Sequence, residues 1–244
     1  AVFDLEGTVV DSNLVKQYLL LWGGTVPRSK VVHDLADFTF SLRKYLRAER
    51  RDRGEFIRTF MRRYEGFKIA EIERMVRGSF GRAMMRRVMP DALRRVQEHR
   101  DAGHRTILVT GTMDLVVTPF LPYFDEVIAG RMHERNGVLT GFLADPPLVD
   151  EARAAWLLHY ADQHGFNLSQ SYGYGDSHAD LRWLQLLGNA NAVNPDVNLY
   201  KHAQEKRWNV LDWKRRSPNT RIPRPRAAAG ANTEGEEQNS TPSS

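Results

Sequence analysis

The sequence predicts an α/β fold: a mainly parallel sheet covered by helices on both faces and interrupted early by a helical insertion. Three observations carry that prediction. From Pro90 onward short apolar runs alternate with helical patterns, the order that builds parallel sheets. Asp4, Thr110 and Asp176 each follow such a run, and in open parallel sheets ligands gather at the carboxyl ends of the strands. Between the first run and Pro90 the apolar spacing is helical.

The elements follow in order. Ala1-Val2-Phe3 leads into Asp4-Leu5-Glu6-Gly7-Thr8, a short strand ending in a carboxylate pair and a turn glycine, with strand and turn extending to Val10. A helical region then runs to about Met89. Within it Phe56, Ile57, Phe60, Met61 and Tyr64 recur at helical spacing, as do Ile69, Ile72, Met75, Val76 and Phe80; both sets are core-facing stripes of amphipathic helices. Asp91 to Asp101 is a basic amphipathic helix stopped by Gly103, and Thr106 to Val109 is a buried strand that delivers Thr110. Glu126 to Ala129 is another short strand. Asn136-Gly137 turns a hairpin between Met132 and Phe142, because both residues tolerate positive φ. Glu151 to Gln163 is helical with Gly165 beyond its end, Ser171 to Gly175 is a strand, and Ala179 to Leu187 is a helix closed by Gly188. From about Ser217 the chain carries Pro218, Pro223 and Pro225 among arginines, then small and polar residues. That composition buries too little surface to offset the entropy of ordering, so residues 217–244 are expected to be a disordered tail.

Composition narrows the function. At 244 residues and 41% apolar, the chain can build a substantial core. No stretch approaches the roughly 20 apolar residues that cross a bilayer, and nothing at the start resembles a secretory leader; the expectation is a cytoplasmic protein without a membrane span. The absence of cysteine excludes disulfides, thiolate metal ligands and cysteine nucleophiles. The net charge of +5 is uneven, residues 41–100 carrying about ten more basic than acidic residues. Solvated helix faces account for most of it, and an anionic substrate or acidic partner surface is the second reading. No zinc-finger spacing or other nucleic-acid signature is present, so no nucleic-acid partner is expected.

The four pieces Asp4-Leu5-Glu6-Gly7-Thr8, Thr110, the basic Arg153, and Gly175-Asp176-Ser177-His178-Ala179-Asp180 come in the order and setting that resemble the haloacid dehalogenase superfamily of phosphohydrolases. Within it the chain resembles the phosphoserine-phosphatase-like branch, subfamily IB. The resemblance spans Ala1 to about Trp213. It implies a Rossmann-like three-layer core of residues 1–12 and 90–216, with an inserted helical C1-type cap at 13–89. The stretches Pro147 to Trp156 and Ala192 to Asp196 look most like actinobacterial members, some of them fused to lipid-metabolic enzymes. The start of the sequence, three residues before Asp4 and no initiating methionine, suggests a fragment or excised domain with such a partner missing.

By the same resemblance Asp4 is the nucleophile that makes an aspartyl-phosphate, a role suited to a carboxylate already ionised at neutral pH. Glu6 stands where relatives usually have a second aspartate, the acid that protonates the leaving oxygen and the base that activates water. Its extra methylene moves the carboxyl by an ångström or more, a displacement that can cost about a hundredfold. Asp176 joins Asp4 around one Mg2+ ion, a hard cation that prefers oxygen ligands. Asp180 is a ligand or supporting group one helical turn on, and the Glu6 backbone carbonyl is a further ligand. Thr110 and the Gly111 amide hold a phosphoryl oxygen. Arg153 replaces the usual lysine that neutralises nucleophile and phosphate. Asn194 and Asp196 are candidates for bracing the acidic loop, and Arg62 and Arg63 for contacting substrate from the cap.

The implied activity is magnesium-dependent hydrolysis of a small-molecule phosphomonoester. In phosphoserine phosphatases a glutamate nine residues beyond the nucleophile holds the substrate's amino group; here that position is Asn13, which argues against L-phosphoserine. Two other readings stay open. One is a regulatory or scaffolding domain of a larger lipid-metabolic protein, impaired through Glu6 and Arg153. The other is phosphoryl transfer to an acceptor other than water.

Overall fold

In the computed structural model, residues 1–25, 53–216 and 220–225 are described. The helical prediction for residues 26–52, and the tail prediction for 217–219 and 226–244, lie outside them.

Six strands form a parallel sheet: β1 (Val2–Asp4), β2 (Ile107–Met113), β3 (Glu126–Gly130), β6 (Tyr172–Gly175), β7 (Asn189–Val193) and β8 (Asn209–Leu211), in the order β3-β2-β1-β6-β7-β8. β1 lies between β2 and β6, with Val2 opposite Ile107 and Gly173. The strand order reverses there, since β2 and β3 extend to one side and β6 to β8 to the other. The alternation of side chains along the strands separates two cores. Phe3, Leu108, Tyr174 and Val193 pack on one face with Ala92, Leu93 and Val96 of α5 (Pro90–Asp101). Val2, Ile107, Val109, Ala190 and Ala192 pack on the other with Leu157 and Tyr160 of α7 (Asp150–His164), and with Leu199 and Ala203 of α9 (Val197–Lys206). These are the three layers of the predicted Rossmann-like α/β fold.

Between β1 and α5 the described chain is helical: α1 (Leu14–Thr25), α2 (Arg53–Met61), α3 (Ile69–Arg77) and α4 (Ser79–Arg86). The first predicted stripe, Phe56, Ile57, Phe60, Met61 and Tyr64, is buried throughout. Tyr18 of α1 meets Phe60 and Tyr64 edge to face, the favoured packing of aromatic rings. In the second stripe Ile72, Val76 and Phe80 are buried, while Ile69 and Met75 are partly so. The single turn α6 (Asp114–Val117) follows β2, and the predicted hairpin is present as β4 (Met132–Arg135) and β5 (Val138–Leu143), turned by Asn136 and Gly137 at φ 53° and 75°.

Several elements differ from expectation. β2 runs on to Met113, with a shift of register against β3 between Val109 and Met113, so Thr110 sits inside an irregular strand end rather than beyond it. The helix expected over Ala179 to Leu187 is a 3-10 turn (His178–Asp180) followed by the single turn α8 (Leu181–Leu184). The side chains of Ser177 and Asp180 close a capping box at the start of this helical segment. β7, α9 and β8 carry no strong apolar signal. Asn191 is nonetheless buried in β7, donating to the Gly173 carbonyl and accepting from Asn209 Nδ2 in β8. Among the described residues no helix is long and apolar enough to cross a membrane. Ile222, in the segment expected to be tail, packs against the first core.

Candidate active site

The site lies where the strand order reverses, at the carboxyl ends of β1, β2 and β6. Asp4 ends β1 and is 1% exposed. Its Oδ1 accepts a 2.7 Å hydrogen bond from Arg153 Nη1, and its Oδ2 is buried without a hydrogen-bond partner among the described residues. Gly7 then turns the chain at φ +80°, and a Cβ there would lie 2.0 Å from Asp176 Oδ2. Glycine is therefore required both for the turn and for the close approach of the acidic loop.

That loop leaves β6 at Gly175. Asp180 Oδ2 accepts from the Asp176 and Ser177 amides and from the Ser177 hydroxyl at 3.1 to 3.2 Å. Its Oδ1 accepts from Trp183 Nε1 at 3.1 Å and from Arg153 Nη1 at 2.8 Å. Arg153, only 3% exposed, is held through Nε on the Leu148 carbonyl, so one guanidinium nitrogen bridges Asp4 and Asp180. Asp196 supports the loop from behind: its Oδ2 accepts from the His178 amide, and its own amide donates to the Asp176 carbonyl. Asn194 is elsewhere, exchanging hydrogen bonds with the backbone of Trp213.

Asp4, Asp176 and Asp180 each present a carboxylate oxygen, all within 4.8 Å of one another. The Glu6 side chain is outside that group. Its Oε2 accepts from the Thr110 hydroxyl at 2.8 Å and its Oε1 from Gln17 Nε2 at 2.9 Å. Gly111 packs under the insertion, where a Cβ would meet Ile57 and Val149 at 3.0 and 3.2 Å. Arg62 lies over the ring of Phe142 instead of reaching the carboxylates, and Asn13 caps α1 by accepting from the Lys16 amide.

The electrostatics are those of an acidic cluster short of positive charge. Burial first, then the charge of Asp180, push the Asp4 carboxyl up to about 8 against the opposing pull of Arg153, which corrects the expectation of a carboxylate already ionised at neutral pH. Burial, then Asp180 and Asp4, raise Asp176 well above the usual carboxylate range. Arg53, the first residue of α2, donates to Ser177 Oγ at 3.3 Å. Burial opposes its charge, but Asp180, Asp4, Glu6 and Asp176 together raise its pKa. Four carboxylates thus face the two guanidinium groups of Arg53 and Arg153. A hard oxygen donor set, an unpartnered buried carboxylate oxygen and excess negative charge fit a divalent cation such as Mg2+.

Gln17, Arg53, Thr112 and Trp183 escaped the sequence reading. Gln17 had a legible signal, a polar residue on the stripe formed by Leu14, Tyr18 and Leu21, all buried. Arg53 had none, being one of several arginines in a run.

The sheet thus gathers the buried carboxylate of Asp4 and the acidic loop of Asp176 and Asp180 at its switch point. The family model described as haloacid dehalogenase-like hydrolase matches residues 1–185, and the chain belongs to that family. A protein named histidinol-phosphatase from Neisseria meningitidis is 29% identical over 238 residues, covering 88% of this chain and 98% of that one. Among solved structures, a Bordetella pertussis protein described as of unknown function superposes with a TM-score of 0.70 at 22% identity, covering 86% and 96% of the two chains. A phosphoserine phosphatase captured as a phospho-aspartyl intermediate analogue superposes with a TM-score of 0.62 at 18% identity, covering 88% and 92%.

Proposed function

We propose that this phosphatase of the haloacid dehalogenase-like family hydrolyses small-molecule phosphomonoesters through an aspartyl-phosphate on Asp4. The unpartnered, buried Oδ2 of Asp4 is the observation that carries the reading. Arg153 occupies Oδ1, which leaves Oδ2 to form the bond to phosphorus while the bond from phosphorus to the ester oxygen breaks. Glu6 gives that oxygen its proton, then takes one from the water that cleaves the acyl phosphate. Thr110 and the Gly111 amide receive phosphoryl oxygens. The Thr110 hydroxyl has one hydrogen and spends it on Glu6, so substrate binding must redirect it. Asp4, Asp176 and Asp180 would hold Mg2+, with the Glu6 carbonyl as a further ligand. When bound, the ion offsets repulsion between the carboxylates and the phosphate and stabilises charge on the phosphoryl oxygens.

Residues 1–12 and 90–216 are read as the catalytic core, 13–89 as the cap that covers it and 217–244 as a tail. Asn13 is engaged in capping α1, which disfavours L-phosphoserine. The arginines of the insertion favour a substrate with further negative charge, including a lipid-derived phosphomonoester supplied by a fused lipid-metabolic domain. Acid quenching of the Glu6→Gln variant during turnover, followed by peptide mass spectrometry, tests the chemistry. Phosphate on the peptide carrying Asp4 is the expected result; a peptide that stays unmodified while product is released contradicts it.

A further inference from the structure

Glu6 belongs to a closed ring of hydrogen bonds that the mechanism does not by itself require. The Thr110 hydroxyl donates to Glu6 Oε2 at 2.8 Å, and Gln17 Nε2 donates to Glu6 Oε1 at 2.9 Å. The Thr112 hydroxyl donates to Gln17 Oε1 at 2.8 Å, and the Thr112 amide donates to Thr110 Oγ1 at 3.1 Å, which closes the circuit. Gln17 is 0% exposed and Thr112 2%. Reversing the Gln17 amide would set its carbonyl against the Glu6 carboxylate and its amino group against Thr112, so the ring has one favourable sense. Two anchors on β2 and one on α1, the first helix of the insertion, therefore fix a single carboxylate.

We infer that Gln17 is a positioning residue that makes a glutamate serviceable as the acid and base, tying one oxygen of its longer side chain to the insertion, the tie that remains when substrate draws the Thr110 hydroxyl away. The inference rests on the reading of Glu6 as the proton-transfer group. An aspartate at position 6 is one methylene shorter and does not reach both anchors, so Gln17 matters only when residue 6 is glutamate. Misplacement of a catalytic group by about an ångström costs up to a hundredfold in rate, and a group that acts on proton transfer alone changes kcat while leaving KM in place.

The test is steady-state hydrolysis of an aryl phosphate by the whole chain with Mg2+, comparing Gln17→Met, Thr112→Val, Glu6→Gln and Glu6→Asp with the Glu6→Asp/Gln17→Met double variant. Gln17→Met, which keeps the volume and removes the donor, should lower kcat about tenfold to a hundredfold with KM within about twofold. In the Glu6→Asp background the same change should cost nothing further. An unchanged kcat in Gln17→Met, a rise in KM of the same size as the fall in kcat, or an equal loss in both backgrounds overturns the inference. If thermal melting shows that Gln17→Met does not fold, Thr112→Val carries the same kcat and KM test, with a smaller loss expected and an unchanged kcat overturning it. Full activity in Glu6→Gln would sink the acid and base reading itself, and this inference with it; loss in Glu6→Gln beside normal Gln17→Met sinks only the inference.

Discussion

Arg153 shows how one side chain can serve stability and chemistry together. Its buried Nη1 joins Asp4 and Asp180 at 2.7 and 2.8 Å, and removing one partner from a buried ion pair leaves uncompensated charge at a cost of about 3–5 kcal/mol. Arg153→Met is expected to lose about that much stability in urea unfolding, together with most activity. Arg153→Lys, which keeps the charge but not the planar fork, should retain more of both; equal damage in the two variants would show that charge at this position is immaterial. At this scale Asp4 and Asp176 were legible because each directly follows a short strand-like run, and Asp180 because it stands one helical turn beyond Asp176. Gln17 and Arg53 were less so, since their meaning comes from partners distant in sequence: Glu6 and Thr112 for Gln17, Ser177 for Arg53.

Among the elements, the helices of the insertion were readable where apolar residues recur at helical spacing and obscure where polar contacts decide. Phe60 in α2 is fully buried against Tyr18 of α1 and Phe56. Phe60→Ala should destabilise the protein by about 3–5 kcal/mol, the usual range for a core phenylalanine; a loss below about 1 kcal/mol in chemical denaturation would show that the insertion is loosely packed. The helix expected over Ala179 to Leu187 is present but shorter, a 3-10 turn from His178 leading into a single turn that ends at Leu184, and apolar spacing does not show that polar contacts of Ser177 and Asp180 set its start. β7 was missed for a related reason. Its asparagines lower the apolar signal, yet Asn191 is satisfied inside the sheet by Gly173 and Asn209.

For the molecule as a whole, burial in the first core gives stability a contribution that weakens toward acid pH. His99, on the α5 side, has Nε2 2.8 Å from the Tyr174 hydroxyl and Nδ1 2.9 Å from His104 Nδ1. Burial first, then the Ala1 amino group, His104 and Arg95, lower its pKa from 6.5 to about 4. The folded protein keeps this ring neutral while the unfolded chain protonates it below about 6.5, so its contribution is present above that pH and is lost as pH falls toward 4. The raised carboxyls of Asp4 and Asp176 act in the opposite sense over the same range, so the His99 contribution is read as a difference: from pH 7 to 4 the urea midpoint of the natural chain should fall relative to that of His99→Gln; an identical pH dependence in the two would remove His99 as a contributor. The parallel architecture was legible from the alternation of runs, and the position of the acidic site from the strand-end rule. Which groups complete the site depended on the packing of the insertion.

The most direct test of the account is hydrolysis of a generic aryl phosphate by the purified chain, with Mg2+ or with chelator, beside Asp4→Asn. The account predicts turnover that needs the ion and falls by at least about a thousandfold in the variant. Turnover that survives chelation and the loss of the Asp4 carboxylate would contradict it.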